Sequence, residues 1–476
     1  MEPQALQIIE TQPDDTILLN EEALRNILTQ DEIRDRYVAV ISITGAFRGG
    51  KSFLLNFLLR YLKIKYLEKR NVTDWLTPED GPLKGFSWAA GSKRHTSGIM
   101  MWPQVFLTTL PTEEKVAIFL LDTQGSFDNQ TTMDDCAKIF ALSTLISSVQ
   151  IYNVMRTIRQ YDLTHIQCFG GFGNLLTNGE SAPFQNFTFL VRDWACPYEH
   201  PYGDIGGAAM LEQIFSSKNP EIQEQVINIK SLFNETNCFL MPYPGRTVDA
   251  SNTFNGSLDD IDESFLDNVS DFVTLLLSPE NLVLKTVNGV KLKAEDFMCY
   301  ITEYCNILKD GDLPKMETIF KATIEAHHKA ALMQALKIYK KNMDVDVKYS
   351  PRSSNETELF KKHTTNKIKT IDYYTKIKKM GDPHIFDKYL IRLKNEVETE
   401  HKRYRVLNDE RKRKLEQTKK RMEEAQRMAG ARASSSGLSQ LNTAEKVGIA
   451  ASVIGGVAVL AFGASKLFSS SRGNND

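Results

Sequence analysis

The residues best suited to chemistry are Gly45, Ala46, Phe47, Arg48, Gly49, Gly50, Lys51 and Ser52. Three glycines, a lysine and a hydroxyl so close together can wrap an anion. Backbone N–H groups freed by the glycines surround phosphate oxygens, and a following helix adds its partial positive charge. Lys51 would neutralise β- and γ-phosphate oxygens, and Ser52 would give its hydroxyl to Mg2+. A second group is Asp122-Thr123-Gln124-Gly125. Asp122 can hold Mg2+ through water, and the Gly125 N–H can reach a γ-phosphate. A third is Arg192-Asp193, where two readings stay open. A strand-end aspartate can simply cap the chain, or it can accept both N1–H and N2–H2 of guanine.

These groups need strands before them and a helix after the first. Residues 37–43 form an apolar run that reads as a buried strand. The helix after Ser52 opens at Phe53, with Leu54, Phe57, Leu58 and Tyr61 at helical spacing. Apolar strands at 116–121 and 187–191 end at Asp122 and Arg192, and a short strand at 238–241 precedes the turn Pro242-Tyr243-Pro244-Gly245. Asn20 is placed to cap a helix over 20–30 that packs Leu24, Ile27 and Leu28. Residues 73–91 read as loop, 91–98 as a flexible polar stretch, 99–110 as one strand and 133–148 as helix. The glycine-rich 168–173 lacks dinucleotide-fingerprint spacing and reads as a loop. Strands alternating with helices from 37 to 241 predict an α/β domain, a mostly parallel sheet with helices on both faces. Every candidate residue falls at the C-terminal end of a strand, where such sheets bind ligands.

Past residue 276 the strand signals stop, and 294–307, 315–344, 357–379 and 383–427 read as helices. His327 and His328 are adjacent, which argues against a shared metal site; one solvent-facing and one half-buried ring is the expectation. Basic residues outnumber acidic ones over 402–427. That run reads either as a solvated helix or as a face drawn to anionic lipid. Residues 430–441 are small and serine-rich, a linker. Residues 447–465 carry no charge, and about nineteen residues of helix span about 28 Å, close to the thickness of a bilayer's hydrocarbon core, which favours a C-terminal anchor over an interfacial or disordered tail.

The net charge of −2 gives no whole-chain pull towards nucleic acid. The six cysteines show no C-x-x-C and no regular spacing, which reads as reduced thiols. The polar, acidic start excludes a secretory signal in this stretch, and a phosphate cradle belongs in the cytosol with GTP and ATP.

Taken together, the motifs resemble one family. They are G-A-F-R-x-G-K-S, T-x-G-I before M-W, D-T-Q-G-S-F, L-V-R-D-W with P-Y-E after it, P-Y-P-G, L-S-P-E and K-A-T-I-E-A-H-H-K-A-A. In this order, from about residue 18 to 400, they resemble the atlastins. These are dynamin-superfamily GTPases, related to the guanylate-binding proteins, that tether and fuse endoplasmic reticulum membranes.

The resemblance implies a P-loop GTPase domain over 1–276 and a helical-bundle middle domain over 277–400; beyond its reach, composition adds a basic helical extension over 401–429. A linker over 430–446, a membrane-anchor helix over 447–468 and a tail over 469–476 complete the expected organisation. The resemblance implies Mg2+ as cofactor, held by Ser52, Thr96 and Asp122, with GTP and GDP, a second copy of the chain and the lipid bilayer as partners. It places the chain in the endoplasmic reticulum membrane with its GTPase domain in the cytosol. Thr96 matches the switch threonine, Arg192 and Asp193 the guanine-reading pair, and the loop from Pro242 to Val248 the cover over the base. Arg48 matches an internal arginine finger. A guanidinium in the cradle can neutralise charge developing in phosphoryl transfer, whereas a surface arginine at a loop tip would not. The chain departs from the family in having one apolar C-terminal segment rather than a hairpin, and in Lys93 and His95 beside Thr96. The rival expectation is a guanylate-binding-protein-like GTPase or tether that oligomerises on membranes without fusing them.

Overall fold

A computed structural model describes residues 3–12, 16–47, 49–72, 75–88, 98–125, 133–166, 182, 184–251, 253–309, 316–350 and 353–435. Arg48, Thr96, Lys93, His95, the glycine-rich 168–173 and the apolar segment 447–468 lie outside the described residues. The described residues form two compact units, one within 1–338 and 369–395 and the other within 339–368 and 396–476.

In the first unit, β1 (Leu6–Thr11), β2 (Ile17–Leu19) and α1 (Glu21–Leu28) lead into β3 (Tyr37–Gly45) and α2 (Lys51–Leu62). Then come β4 (Ile99–Met101), β5 (Phe106–Thr109), β6 (Lys115–Thr123), α3 (Met133–Ile146), β7 (Val149–Met155) and α4 (Gln160–Ile166). The sheet closes with β8 (Phe184–Arg192), α5 (Gly203–Phe215), α6 (Pro220–Leu232), β9 (Phe233–Leu240), α7 (Arg246–Ala250) and α8 (Glu263–Leu277). A small hairpin of β10 (Thr286–Val287) and β11 (Val290–Lys291) precedes α9 (Ala294–Leu308). Three long helices follow, α10 (Met316–Met343), α11 (Glu356–Lys376) and α12 (Pro383–Ser435).

The sheet is mostly parallel. Strands β6, β3, β7, β8 and β9 run side by side in one direction, and β4 and β5 add antiparallel pairing on β6. Residues alternate between its faces. Val38 and Val40 join the core under α1 and α3, while Ala39, Ile41 and Ile43 join the core under α2 and α8. As expected, Asn20 caps α1, its Oδ1 accepting the Ala23 N–H at 3.0 Å.

Three strand expectations need correction. Residues 99–110 are not one strand: Pro103 has no N–H to give, and the pairing on β6 resumes two residues out of step at Phe106. The start of the chain is not merely a polar lead-in. A register shift between Gln7 and Ile9 buries the adjacent Ile8 and Ile9, which erases the alternation that signals a strand. β7 escaped notice because its buried run is interrupted by two polar residues, Gln150 on one face and Asn153 on the other.

The helical expectation for His327 and His328 also fails: both are buried. His327 pairs with the Tyr300 hydroxyl at 3.3 Å and the Lys378 carbonyl at 2.8 Å. His328 pairs with the Tyr374 hydroxyl at 2.9 Å and the Met380 carbonyl at 3.0 Å. A carbonyl only accepts, so each Nε2 carries the proton and each Nδ1 accepts from tyrosine, the neutral tautomer. Burial pushes both pKa values below 6.5, against the pull of those carbonyls. The unfolded chain therefore binds the protons first. Stability contributed by the neutral rings is full above pH 6.5 and is lost as pH falls below it, by at most about 1.4 kcal/mol per pH unit for each ring. Urea midpoints are expected to fall between pH 7.5 and 5.5, and His328→Gln to narrow that drop. A drop unchanged in the variant would count against this account. Among the described residues no group of side chains is arranged to hold a metal in these helices.

In the second unit, Tyr339 and His363 pair through the tyrosine hydroxyl and Nδ1 at 2.8 Å, and the Tyr404 hydroxyl donates to Asp344 at 2.9 Å. The side chains of α12 beyond Asn408 are almost all exposed as far as Met428. Among the described residues no helix is long and apolar enough to cross a membrane.

Candidate nucleotide site

The parallel strands all end at the same edge, and β3, β6 and β8 deliver their candidate residues there. β3 ends at Gly45, β6 at Thr123, β7 at Met155 and β8 at Arg192. The chain leaves β3 towards β6 on one side and returns to β7 on the other, which opens a crevice above β3.

Gly50 caps α2 with φ +72°, a left-handed conformation that glycine adopts without strain, and no side chain closes the helix end. The first N–H groups of α2 are thereby left for an anion. The Lys51 ammonium is buried and donates to the Gly45 and Ala46 carbonyls at 3.2 and 3.1 Å, which curls it back over the turn. Ser52 donates its hydroxyl to Asp122 Oδ2 at 2.5 Å. A hydroxyl and a carboxylate brought together are a hard oxygen pair of the kind Mg2+ takes, so the residues fit that ion. Thr123 ties β6 to β3 through a 2.7 Å bond to the Ile43 carbonyl.

Gly125 lies so close to the turn that a Cβ there would meet Phe47 Cα at 2.6 Å and Lys51 Nζ at 3.1 Å. Only glycine permits that approach. Gln124 is committed elsewhere: its Oε1 accepts the Gly98 N–H at 2.9 Å, and its own N–H donates to the Gly98 carbonyl at 2.8 Å. The Phe53 ring packs among Phe57, Trp88 and Phe254, so only its backbone can serve a phosphate.

Arg192 is buried, its guanidinium over the Phe265 ring and its Nη1 3.4 Å from the carbonyls of Gly49 and Gly50. In this structure it therefore grips the P-loop from below. Asp193 is half-buried with φ +55°, a strained backbone held by the Trp194 N–H bond to the Met241 carbonyl at 3.0 Å. Burial pushes its carboxyl above the usual aspartate value, a rise opposed by the charges of Arg192 and Arg156. Val248, on α7, is partly buried against the core that holds Phe53. Asn153, at the end of β7, also belongs here: its Nδ2 donates to the Gly49 carbonyl at 2.9 Å. Sequence reading missed it because a lone asparagine 104 positions from its partner gives no local signal.

A glycine-rich turn from β3 into α2, with Ser52 on Asp122, defines a P-loop nucleotide-binding protein. The family model described as "Guanylate-binding protein, N-terminal domain" matches residues 14–286, so the domain is a GTPase of that class. Similar proteins extend the match. The chain is 41% identical to "Atlastin" of Drosophila melanogaster over 409 residues, 85% of this chain and 75% of that protein. It is 40% identical to "Atlastin-2" of Homo sapiens over 412 residues, 86% of this chain and 70% of that protein. With "Atlastin-1" of Bos taurus it shares 37% identity over 85% of this chain and 72% of that protein. The chain belongs to the atlastin family. It is a GTPase that binds GTP and hydrolyses it, and it acts in the organisation of endoplasmic reticulum membranes.

Proposed function

We propose that this GTPase is membrane-anchored and uses nucleotide-dependent dimerisation to tether and fuse endoplasmic reticulum membranes, its GTPase domain facing the cytosol. The observation that carries the reading is the reach of the atlastin likeness. It covers 409 residues, well beyond the 14–286 of the GTPase domain, so the helical region belongs to the same likeness.

Within this reading residues 1–276 bind and hydrolyse GTP and 277–400 act as the moving bundle. The backbone from Gly45 to Phe53 cradles the phosphates and the Lys51 ammonium neutralises their outer oxygens. Ser52, Thr96 and Asp122 would hold Mg2+, which supplies positive charge to the β/γ bridge. The Gly125 N–H meets the γ-phosphate. Arg48 turns into the cradle in the dimer and stabilises charge in the transition state. Asp193 accepts the guanine N1–H and N2–H2, Arg192 holds the turn beneath, and Val248 lies in the loop that covers the base. Loss of the γ-phosphate releases Thr96 and its loop, and that order–disorder change drives the bundle.

The exposed Lys402, Arg403, Lys412, Arg413, Lys419 and Lys420 of α12 support attraction to anionic lipid, about 1 kcal/mol for each residue at the surface. Residues 447–468 serve as the anchor. The test is GTP turnover and vesicle lipid mixing by the full-length chain, beside Arg48→Ala and a truncation before Val447. Mixing is expected to require GTP, Arg48 and the tail. Turnover and GTP-dependent tethering without any mixing would replace fusion by the tethering reading.

A further inference from the structure

Asn153 comes from a strand whose residues carry none of the motifs, yet it touches the P-loop twice. Strand β7 pairs with β3 so that Asn153 stands opposite Gly45, and a Cβ on Gly45 would lie 2.2 Å from the Asn153 carbonyl oxygen. A Cβ on Gly49 would lie 2.4 Å from Asn153 Nδ2. Two of the turn's glycines are thus glycine because Asn153 fills the space beside them. The side chain is 1% exposed and donates to the Gly49 carbonyl at 2.9 Å; Arg192 reaches the same carbonyl, and that of Gly50, at 3.4 Å.

We infer that Asn153 is a positioning residue for GTP binding: by holding the Gly49 carbonyl down it aims the Gly50 N–H at the β-phosphate, while Arg192, which also reaches the Gly50 carbonyl, does the same for the Lys51 N–H. The reason is covalent. Across a trans peptide the carbonyl of one residue and the N–H of the next point to opposite sides, and the described chain has no cis peptide. A carbonyl gripped from the sheet side therefore presents the following N–H on the crevice side. Glycines lower the cost of that orientation, but they also leave the turn free to take others. The grip removes that freedom before the nucleotide arrives, so less ordering entropy is lost on binding. The far end of the amide, Oδ1, has no partner among the described residues, and Asn153 lines a cavity of about 50 Å³ with Ala46, Met155 and Arg159. Its role towards the loop is carried by the donor end alone.

The inference rests on Gly49 to Lys51 being the phosphate cradle, and the test separates the two. Affinities of the full-length chain for GMP, GDP and ADP are measured for the parent, Asn153→Asp, Asn153→Ser and Lys51→Ala, with thermal unfolding of each nucleotide-free protein. Asn153→Asp keeps the shape and turns the donor into an acceptor. Both Asn153 variants are expected to lose about tenfold or more in GDP affinity and under about threefold in GMP affinity, tenfold being 1.4 kcal/mol. The preference for GDP over ADP should survive, because the base is read elsewhere. If Lys51→Ala weakens GDP but neither Asn153 variant does, the inference is wrong and the cradle stands. If Lys51→Ala leaves GDP binding intact, the cradle assignment itself falls, and the inference with it. Equal losses for GMP, GDP and ADP, together with a lowered unfolding temperature, would reduce Asn153 to a structural residue and overturn the proposal.

Discussion

Lys51→Ala is expected to lower kcat/KM for GTP by about 10²–10³-fold or more, the loss typical of one charged donor aimed at charge that develops in a transition state. The ammonium already sits within the turn, bonded to the Gly45 and Ala46 carbonyls, so little side-chain entropy remains to be lost when phosphate arrives. Removing it leaves the Gly45 and Ala46 carbonyls without that donor, so the nucleotide-free fold should lose only about 1–3 kcal/mol. Phosphate-release kinetics and thermal unfolding, measured together, separate a lost site from a lost fold. Turnover within threefold of the parent would remove Lys51 from the chemistry.

The second large effect concerns the base. Asp193→Asn should lower GTP affinity by about 10³-fold or more, since a site built around buried polar pairing rejects a ligand that leaves groups unpaired. The same substitution should admit xanthosine triphosphate, whose C2 carbonyl accepts from the new amide while its N1–H still donates. Competition binding with both nucleotides reads the exchange; equal losses for the two would show that Asp193 only shapes the strained turn. Acid provides an independent check. Guanine needs the ionised carboxylate, and burial has raised the Asp193 pKa above the ordinary value of 3.8. GTP affinity should therefore decline on acidification at a pH higher than an exposed aspartate would give, and Asp193→Asn should lack that decline. A decline that persists in the variant would assign the titration to another group.

What a stretch of chain encodes by its own succession of residues could be read without the fold. Glycines, Lys51 and Ser52 are consecutive, so their spacing alone specifies a turn with freed N–H groups before a helix. Asp122 follows a run of apolar residues, and that run is a buried strand in any parallel sheet. After α8 the strand signals stop, and from that change of pattern the existence of the helices followed.

Contacts between distant segments were another matter. The pairing of Ser52 with Asp122 spans 70 positions, the grip of Asn153 on Gly49 spans 104, and that of Arg192 spans 143. Local pattern holds no term for such distances. Burial of His327 and His328 was decided likewise, by Tyr300, Tyr374 and two carbonyls some fifty positions away, not by the helix that carries them. A polar residue inside a sheet or bundle costs several kcal/mol unless it is paired, so its meaning depends wholly on partners that tertiary structure supplies. The sequence by itself determined which chemistry this chain carries; the fold decided which side chains hold that chemistry in place.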